Sequence, residues 1–350
     1  MRLLVTGGAG FIGSAFVRLR LRSTDDAIVI LDKLTYAGSL DRLADVRADP
    51  ATGPRLELVE GDILDVSLVE SLVEVADAVV NFAAESHVDR SLEAPHAFAT
   101  TNIVGVYVLL EAIRRAQAGS ARSIRMVQVS TDEVYGHVAA GIRRESDPVA
   151  PTNPYAATKA SADLVTLGYH ATYAVDCVIT RGVNTFGPFQ HPEKLIPLLI
   201  TNALRDSVLP LYGDGMQQRD WLYVTDHAEA VARILDHGDA GQIYNIDGTG
   251  QRDNRSIAQA VVTMLGRDPA LIRSIADRAG HDRRYAVDAT RLRAIGWQPQ
   301  VSFDHGLAQT VAWYVRNEEW WRRMKSGPWQ DYYARQYDER IARSVPLADE

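Results

Sequence analysis

The first thirteen residues, MRLLVTGGAGFIG (residues 1–13), decide the fold class. They predict a short apolar strand, a glycine-rich turn and the start of a helix. Glycine permits unusual backbone angles at the turn, lets the backbone approach a pyrophosphate, and lets the helix sit close to its strand. Gly7, Gly10 and Gly13 stand at these positions, before a helix whose N–H groups attract phosphates. We therefore expect a dinucleotide-binding turn, with an ordinary strand–helix turn as the alternative.

Two acids further along the chain extend this interpretation. Asp32 ends the second predicted strand, 19 residues after Gly13. An acid at a spacing of about 20 typically accepts the adenosine ribose hydroxyls. A carboxylate there repels a 2′-phosphate, so NAD is favoured over NADP, a preference that the neighbouring Lys33 softens slightly. Asp62 follows the third predicted strand, where an acid can contact the adenine of the cofactor.

Short apolar strands alternate with longer helical patterns through the first half of the chain. Strands are predicted at 3–5, 27–31, 56–60, 78–82, 125–130 and 176–180, and helices at 11–22, 66–75, 97–117, 161–173 and 226–235. The alternation predicts an α/β fold, a Rossmann-type doubly wound parallel sheet with a smaller C-terminal substrate-binding lobe. The cofactor domain is expected at residues 1–182 with a returning segment near 220–248, and the substrate lobe mainly at 183–350. The stretch 313–329 predicts a packed terminal helix with snorkelling arginines.

Composition excludes several classes of protein. The chain has 350 residues and a net charge of −8, which disfavours an electrostatic grip on nucleic acid. The single cysteine, Cys177, excludes an intrachain disulfide and a Cys-rich metal site. No apolar run reaches the ~18–20 residues of a membrane span, and no signal peptide is recognised at the start, so a cytoplasmic location is expected. The 9 histidines, His87 included, lack metal-ligand spacing, and no metal is expected.

A second motif carries the chemistry. Tyr155 and Lys159 form a Tyr-x-x-x-Lys pair, and side chains four residues apart share one face of a helix. The Lys159 ammonium is expected to lower the pKa of the Tyr155 phenol, so that a tyrosinate takes a hydroxyl proton while hydride leaves for nicotinamide. Thr131 follows the fifth predicted strand and can bind the same substrate oxygen. Asp132 and Glu133 come next and are either an acid–base pair or a capping and solvated loop pair.

These residues together resemble the extended short-chain dehydrogenase/reductase superfamily and, more narrowly, the dTDP-glucose 4,6-dehydratases. The resemblance covers residues 1 to about 320. It rests on residues 31–38 (LDKLTYAG), 83–91 (AAESHVDRS), 130–136 (STDEVYG), 153–159 (NPYAATK), 192–197 (PEKLIP) and 280–285 (GHDRRY). Simple sugar-nucleotide epimerases usually lack the acid pair after the threonine, so Asp132 and Glu133 are the most discriminating feature.

The resemblance implies a reaction, namely NAD-dependent dehydration of dTDP-glucose to dTDP-4-keto-6-deoxyglucose. Tyr155, Lys159 and Thr131 then serve oxidation at C4. Glu133 removes the C5 proton, Asp132 protonates the departing C6 hydroxyl, and hydride returns to C6. The alternatives are another sugar-nucleotide epimerase or decarboxylase of the same fold and a non-catalytic NAD-binding protein. Family members are usually homodimers that pair through two long helices, here the helix at 97–117 and the helix after Tyr155.

The resemblance also implies two sets of binding residues. The cofactor set is Gly7, Gly10, Phe11, Ile12, Gly13, Asp32, Lys33, Thr35, Gly38, Asp62, Ile63, Ala83, Ala84, Thr101, Tyr155, Lys159 and Thr185. The substrate set is Ser86, Thr131, Asn184, Lys194, Leu195, Pro210, Tyr212, Arg219, Asn254, Arg278 and His281. Within it, Arg219 is expected to grip the diphosphate, and Pro210 and Tyr212 to lie beside the nucleobase.

One block departs from the family pattern. The family usually has Asn-Asn-Tyr-Gly-Pro where this chain has Asn184, Thr185 and Phe186 followed by Gly-Pro. Thr185 offers a hydroxyl in place of an amide that faces the cofactor. We expect altered cofactor affinity or nicotinamide placement rather than lost activity.

Overall fold

The computed structural model describes residues 1–119 and 122–347, which divide into two compact units. The first comprises Met1–Val183, Val224–Asp247 and Ala286–Gln300, and the second comprises Asn184–Tyr223, Gly248–Tyr285 and Val301–Glu350. The sequence assigns the segment Ala286–Gln300 to the second lobe, and the structure corrects this. The reason is a pair of contacts to the returning helix: Trp297 donates to the Asp226 carbonyl at 3.2 Å, and the Gln300 amide donates to the Asp226 carboxylate at 2.9 Å.

The elements are numbered in chain order. The strands are β1 Arg2–Thr6, β2 Ala27–Asp32, β3 Leu56–Glu60, β4 Ala78–Asn81, β5 Arg125–Thr131, β6 Cys177–Gly182, β7 Asn184–Phe186, β8 Leu209–Tyr212, β9 Gln218–Tyr223, β10 Ile243–Ile246, β11 Gln251–Asp253, β12 Ile272–Ile275 and β13 Val345–Pro346. The helices are α1 Phe11–Ser23, α2 Ala44–Ala48, α3 Val66–Glu74, α4 Val88–Glu93, α5 Pro95–Ala99, α6 Gly105–Gln117, α7 Pro154–Tyr173, α8 Leu195–Ala203, α9 Val224–His237, α10 Asn254–Leu265, α11 Thr290–Ala294, α12 Phe303–Arg316, α13 Glu318–Met324, α14 Pro328–Tyr333 and α15 Glu339–Ala342.

The first unit is built on a seven-stranded sheet in the order β10-β6-β5-β4-β1-β2-β3. Every neighbouring pair in it is parallel, which confirms the predicted Rossmann-type sheet. Strands of a parallel sheet are covered on both faces, so they are almost entirely apolar, as Leu3, Leu4 and Val5 of β1 are. Because all strands run the same way, the turns after β1, β2 and β5 meet at one edge of the sheet, where α/β folds bind ligands.

Helix α7 begins at Pro154, seven residues before the predicted start at 161. The Asn153 side chain caps it by accepting from the Ala156 amide at 2.9 Å, and proline occupies the first helical position. This start places Tyr155 in the first turn and Lys159 in the second. The tyrosine and lysine are therefore on one helix, as their spacing requires.

The predicted helix at 97–117 is a composite of three pieces. Helix α5 is followed by a π-helical turn, Thr100–Val104, and then by α6. By length and mean hydropathy, the stretch Pro95–Gln117 could span a membrane, which corrects the expectation that no stretch of the chain would qualify. Half of its most apolar window is buried inside the protein, as in the core helix of a globular unit.

The second unit holds two three-stranded sheets, β11-β9-β7 and β13-β12-β8. Its core is rich in aromatic side chains, with Phe186, Tyr314 and Trp321 fully buried. The stretch 313–329 is not one terminal helix, as predicted, but contains the end of α12, all of α13 and the start of α14. The arginines of this stretch, Arg316, Arg322 and Arg323, are exposed. Lys325, between α13 and α14, is only 4% exposed and is enclosed by the unit.

Candidate functional site

The glycine turn after β1 leaves no room for side chains. Gly7 has φ +68°, and a Cβ there would lie 2.6 Å from the backbone nitrogen of Ala83. A Cβ on Gly13 would lie 2.4 Å from the Gly7 carbonyl oxygen. Helix α1 starts with Phe11, Ile12 and Gly13, and no side chain caps its N-terminus. Its first N–H groups therefore suit an anion, and a close backbone surface lies beside them.

A cavity of about 120 Å³ opens beside this turn. The cofactor residues predicted from the sequence that line it are Gly7, Gly10, Asp32, Lys33, Thr35, Gly38, Asp62, Ile63, Ala83, Ala84 and Thr101. Five further residues line the cavity and were not predicted, namely Leu31, Ala37, Gly61, Phe82 and Glu85. Each of them adjoins a predicted position, so the chain around the ends of β2, β3 and β4 was the available signal. Thr185 belongs to the second unit.

Asp32 is held at the end of β2 by backbone groups. Its carboxylate accepts from the Ala9 and Leu34 amides, both at 2.9 Å. Burial raises the pKa of Asp32, while these two hydrogen bonds and the charge of Arg42 lower it. Arg42 is fully buried and donates to the Ala9 carbonyl at 3.0 Å and to the Ala37 carbonyl at 2.6 Å. No spacing in the sequence identifies Arg42. It lies in a short 3-10 helix, Leu40–Leu43, and its positive charge stabilises the Asp32 carboxylate.

Lys33 and Asp62 form an ion pair at 2.6 Å. The lysine is largely exposed, and its hydrogen bond to Asp62, together with the charge of that carboxylate, raises the pKa of Lys33. Because the ammonium is engaged by Asp62, it is a weak counterion for a 2′-phosphate at Asp32. Lys33 therefore weakens the preference for NAD over NADP less than its position in the sequence suggests.

Asn102 joins the cofactor cavity to helix α7. It lies in the π-helical turn, accepts from the Glu85 amide at 2.8 Å and donates to the Glu85 carbonyl at 3.0 Å. The same side chain donates to the Thr158 hydroxyl at 3.0 Å, next to Lys159. Ser86 follows on this loop, where its carbonyl accepts from the Tyr36 hydroxyl at 3.4 Å. The π-helical turn thus connects a residue that lines the cavity with the helix that carries Lys159.

Thr131, Asp132 and Glu133 follow one another at the carboxyl end of β5. The Thr131 hydroxyl accepts from the Glu133 amide at 3.3 Å and lies 3.3 Å from an Asp132 carboxylate oxygen. The pair opens a 3-10 helix, Asp132–Tyr135, with Asp132 buried and Glu133 half-buried. The residue that caps this turn is therefore Thr131, whose hydroxyl accepts from the Glu133 amide.

Tyr155 has the opposite pKa shift from the one expected. Its side chain keeps some exposed surface, but the protein packed around the phenol raises the pKa above its ordinary value, and the charges of Glu133 and Asp132 raise it further. A hydrogen bond with Thr131 lowers it in part. The Lys159 Nζ donates at 2.6 Å to the carbonyl of residue 129, and burial lowers the pKa of Lys159 to about 8. The predicted lowering of the tyrosine pKa by Lys159 is wrong for this arrangement.

A buried ion pair lies one helical turn beyond Lys159. The Asp163 carboxylate accepts from Arg181 Nε at 2.9 Å, and neither side chain is more than 3% exposed. The Arg181 guanidinium also lies 4.8 Å from the ring centroid of Tyr135. Burial raises the pKa of Asp163 and Arg181 lowers it, while the Asp163 charge favours the ammonium form of Lys159. This ion pair was not predicted from the sequence, although the position of Asp163 four residues after Lys159 was a signal.

Three predicted substrate residues meet in the second unit. Tyr212 ends β8, and its ring lies 5.7 Å from the His281 ring and 5.3 Å from the Arg278 guanidinium. His281 is oriented by the Asp277 carboxylate at 2.6 Å. Burial and the charge of Arg278 lower the pKa of His281 to about 4, so this ring is neutral at pH 7. The cluster combines aromatic surface with a cation, which suits a nucleotide.

Arg219 is already engaged by backbone carbonyls. Its Nη1 donates to the Gln218 carbonyl at 2.8 Å and its Nη2 to the Asp282 carbonyl at 2.7 Å. Its guanidinium stacks 4.3 Å from the Tyr285 ring centroid. The guanidinium is therefore fixed in direction, and two terminal nitrogens are used, so the predicted bidentate grip on a diphosphate would compete with these carbonyls.

The remaining predicted substrate residues are dispersed over the second unit. Asn184 opens β7, Lys194 precedes α8 and Leu195 opens it, Pro210 is buried in β8, and Asn254 opens α10. Lys194 lies 3.7 Å from the Glu193 carboxylate. Thr185 accepts from Gln190 Nε2 through its carbonyl at 2.7 Å.

The surroundings of Phe186 explain one of the two replacements, Thr185 and Phe186, that depart from the family pattern. It is fully buried, and its ring lies 5.2 Å from Phe303 and 5.6 Å from Tyr223, centroid to centroid. A hydroxyl there would need a partner in an apolar core, so phenylalanine suits the site.

The described ranges, 1–119 and 122–347, contain no group of three or more His, Cys, Asp or Glu side chains arranged to hold a metal ion. His87 has a strained backbone, with φ 122°, in the loop before α4. The two acids and the tyrosine can perform acid–base chemistry on their own.

Comparisons with known proteins agree on one family. The family model described as GDP-mannose 4,6 dehydratase matches residues 4–310. The low-salt glycan biosynthesis protein Agl12 of Haloferax volcanii is 48% identical over 91% of this chain and 100% of its own length. The dTDP-glucose 4,6-dehydratase of Streptomyces niveus is 45% identical over 93% of this chain and 96% of its own length. Among solved structures, the dTDP-glucose 4,6-dehydratase DesIV of Streptomyces venezuelae, with NAD bound, has a TM-score of 0.88 and 49% identity, covering 93% of this chain and 100% of its own.

Proposed function

We propose, because the chain belongs to the family of dTDP-glucose 4,6-dehydratases, that it converts dTDP-glucose to dTDP-4-keto-6-deoxyglucose with NAD as a resident cofactor. The observation that carries this proposal is the acid pair Asp132 and Glu133 beside Tyr155. The charges of both acids act on the tyrosine phenol, so the three groups share one site. Oxidation at C4 needs a base for the hydroxyl proton and NAD as the hydride acceptor, whereas elimination of water needs an acid and a base in addition.

The first unit fits NAD. A Cβ at Gly7 or Gly13 would collide with the backbone around the turn, so glycine keeps this surface open for close approach of the cofactor. The uncapped start of α1 suits the pyrophosphate. Asp32 at the end of β2 suits the adenosine ribose, since its carboxylate repels a 2′-phosphate. When bound, NAD accepts hydride from C4 of the sugar and returns it to C6. We assign Met1–Val183 with its two returning segments to the cofactor, and the second unit to the sugar nucleotide.

Tyr155 is proposed as the base that takes the C4 hydroxyl proton, with Thr131 hydrogen-bonding the same oxygen. The ketone that results acidifies the C5 hydrogen. Glu133 then removes the C5 proton, and Asp132 gives a proton to the C6 hydroxyl, which leaves as water. After hydride has returned to C6, Glu133 gives its proton back to C5. The proton that Tyr155 took from the C4 hydroxyl replaces the one that Asp132 gave to the water, so all three groups return to their starting states. Lys159 and Asp163 keep positive and negative charge near the tyrosine but touch no reacting atom in this scheme.

The raised pKa of Tyr155 and the lowered pKa of Lys159 together predict a pH profile. The productive pair, a tyrosinate beside an ammonium, carries one proton less than the fully protonated pair. The first proton leaves the pair near the lysine pKa of about 8, because the tyrosine pKa is raised. We expect kcat to rise about tenfold per pH unit up to about pH 8 and then to level off. Initial rates across this range check it, and a rate that stays constant from about pH 6 to about pH 8 would contradict it.

The proposed assembly is a homodimer that pairs the α6 and α7 helices of two copies. Large apolar side chains are exposed on these helices, with Tyr107 47%, Leu164 58% and Tyr173 53% exposed. Burial of such a patch is the usual driving force for a stable interface. Leu164→Arg is expected to turn a dimer into a monomer in light-scattering measurements. A dimer that survives this change would assign the interface elsewhere. The cytoplasm is the proposed location, since no nucleic-acid or membrane partner is expected.

The test of the function is product analysis with dTDP-glucose, UDP-glucose and GDP-glucose side by side. The proposal predicts a product that has lost one water from dTDP-glucose, with no accumulation of reduced cofactor. An epimerase would give a product of unchanged mass, a decarboxylase would act only on a uronic acid, and a non-catalytic protein would bind NAD and leave every sugar nucleotide unchanged. Unaltered dTDP-glucose in the presence of NAD would overturn the proposal.

A further inference from the structure

We propose that the C-terminal segment, residues 325–347, belongs to the nucleotide end of the site, and that Gln336 and Arg340 are positioning residues for Tyr212. The inference deepens the proposed function and rests on it, because Tyr212 is the residue proposed to lie beside the nucleobase. The family model ends at residue 310, so this contribution comes from a part of the chain that the model does not describe.

An aromatic ladder runs along this segment and ends at Tyr212. Side chains four residues apart share one helical face, and Trp329, Tyr333 and Tyr337 have this spacing. Trp329 stacks on Tyr333 with ring centroids 4.8 Å apart, and Tyr333 packs on Tyr337 at 4.9 Å. Tyr337 in turn lies 6.4 Å from Tyr212. The rings join the α14 helix to the end of β8.

Lys325 fixes the start of the ladder. Its ammonium donates to the Thr201 hydroxyl at 3.0 Å and to Asn202 Oδ1 at 2.8 Å, both on α8. It also lies 4.6 Å from the Trp329 ring centroid. Asn202 donates to the Tyr333 hydroxyl at 3.1 Å, so the second rung is held by the same helix. Since these groups are buried or half-buried, the segment is packed against the core of the unit rather than attached loosely.

The far end of the segment is part of the sheet that carries Tyr212. Strand β13 pairs antiparallel with β12, and β12 pairs parallel with β8, with Ile275 opposite Tyr212. Arg273 on β12 also donates to the Ser344 carbonyl at 2.8 Å. The segment is thus fixed on both sides of Gln336 and Arg340, which lie between the ladder and β13.

Two side chains of the segment converge on the Tyr212 hydroxyl. Gln336 Nε2 donates to it at 2.7 Å and Arg340 Nη1 at 3.1 Å. The Arg340 guanidinium lies 5.4 Å from the centroid of the same ring, which Arg278 and His281 also contact. The two donors fix the rotamer of Tyr212, and Arg340 adds a second cation beside Arg278. Both effects favour the binding of an anionic nucleoside diphosphate beside Tyr212.

The experiment compares Arg340→Met with Arg335→Met, an exposed arginine of the same segment that serves as the matched control. Loss of a charged hydrogen bond to the binding residue is expected to raise the KM for dTDP-glucose and the Kd for dTDP about tenfold. The value of kcat should change less than about twofold, and the Kd for NAD should not change, because the reacting groups and the cofactor turn are untouched. Arg340→Lys, which keeps a cationic donor, is expected to recover most of the affinity.

The outcomes separate the two proposals. Weaker dTDP binding in Arg340→Met alone supports the positioning role. Equal KM and dTDP affinity in Arg340→Met and Arg335→Met would overturn it, even if the wild-type enzyme dehydrates dTDP-glucose. A fall in kcat with unchanged dTDP affinity would also overturn it, since that pattern reports general damage. Wild-type protein that binds dTDP but does not dehydrate dTDP-glucose would contradict the proposed function and leave the Arg340 comparison to be decided by dTDP affinity.

Discussion

Glu133→Gln is expected to lower the rate of dehydration by about 100- to 10,000-fold, the range typical for removal of a general base. The amide has the shape of the carboxylate but cannot take the C5 proton. The Glu133 backbone amide, which donates to Thr131, is unchanged, so the 3-10 turn should keep its form. The first step, oxidation at C4, does not use this side chain as a base and should persist in part.

Rapid mixing of Glu133→Gln with dTDP-glucose should therefore show reduced nicotinamide that forms and decays slowly, with little water lost from the sugar. Glu93→Gln, an exposed glutamate on α4, is the matched control and should turn over like the wild type. Full dehydration by Glu133→Gln would remove Glu133 from its assigned role. No trace of reduced nicotinamide would mean that Glu133 also serves the first step.

Tyr155→Phe is expected to lower the overall rate by at least about 100-fold for a different reason. Without the phenol, no group in the cluster takes the C4 hydroxyl proton, so neither oxidation nor elimination begins. The ring itself is retained and can keep its edge-on packing with Phe98, 6.3 Å between centroids. The fold should therefore be unchanged.

The two variants fail at different steps, which makes them informative together. Tyr155→Phe should form no reduced nicotinamide, whereas Glu133→Gln should form some. Tyr173→Phe, near the end of the same helix and 53% exposed, removes an equivalent hydroxyl and should have normal activity. Reduced nicotinamide at the wild-type rate in Tyr155→Phe would assign the base to another residue.

Local spacing was enough to predict the glycine turn between β1 and α1. Gly7, Gly10 and Gly13 stand close together in the chain, and the steric demand on each comes from its own turn and the adjoining strand. Asp32 follows at the end of the neighbouring parallel strand, so a fixed count of residues places it. Tyr155 and Lys159 needed only the helical repeat, which the Asn153 cap extends to include them.

Contacts between distant segments were beyond the reach of such patterns. Asn102 and Thr158 are 56 residues apart and meet only because the π-helical turn packs beside α7. Arg42 is recognised as a supporting residue only once its donors to Ala9 and Ala37 are located. The segment Ala286–Gln300 belongs to the first unit because Gln300 contacts Asp226, which lies far from it in the sequence.

The pKa of Tyr155 is the clearest case of this limit. An i,i+4 lysine suggests a lowered tyrosine pKa, and it would have that effect in water-exposed surroundings. In the folded protein, burial dominates and two carboxylates act in the same direction, so the pKa rises. The sign depends on the sum over the whole site, which sequence spacing does not contain.

We propose that one site oxidises C4, expels water from C5 and C6, and returns the same hydride to C6. The most direct test of this reaction uses dTDP-glucose with deuterium at C4 and follows the product by mass spectrometry and NMR. We predict a product that has lost one water and carries the deuterium at C6, with no net reduced cofactor. A product that retains the substrate's water, or one whose C6 bears no deuterium from C4, would contradict it.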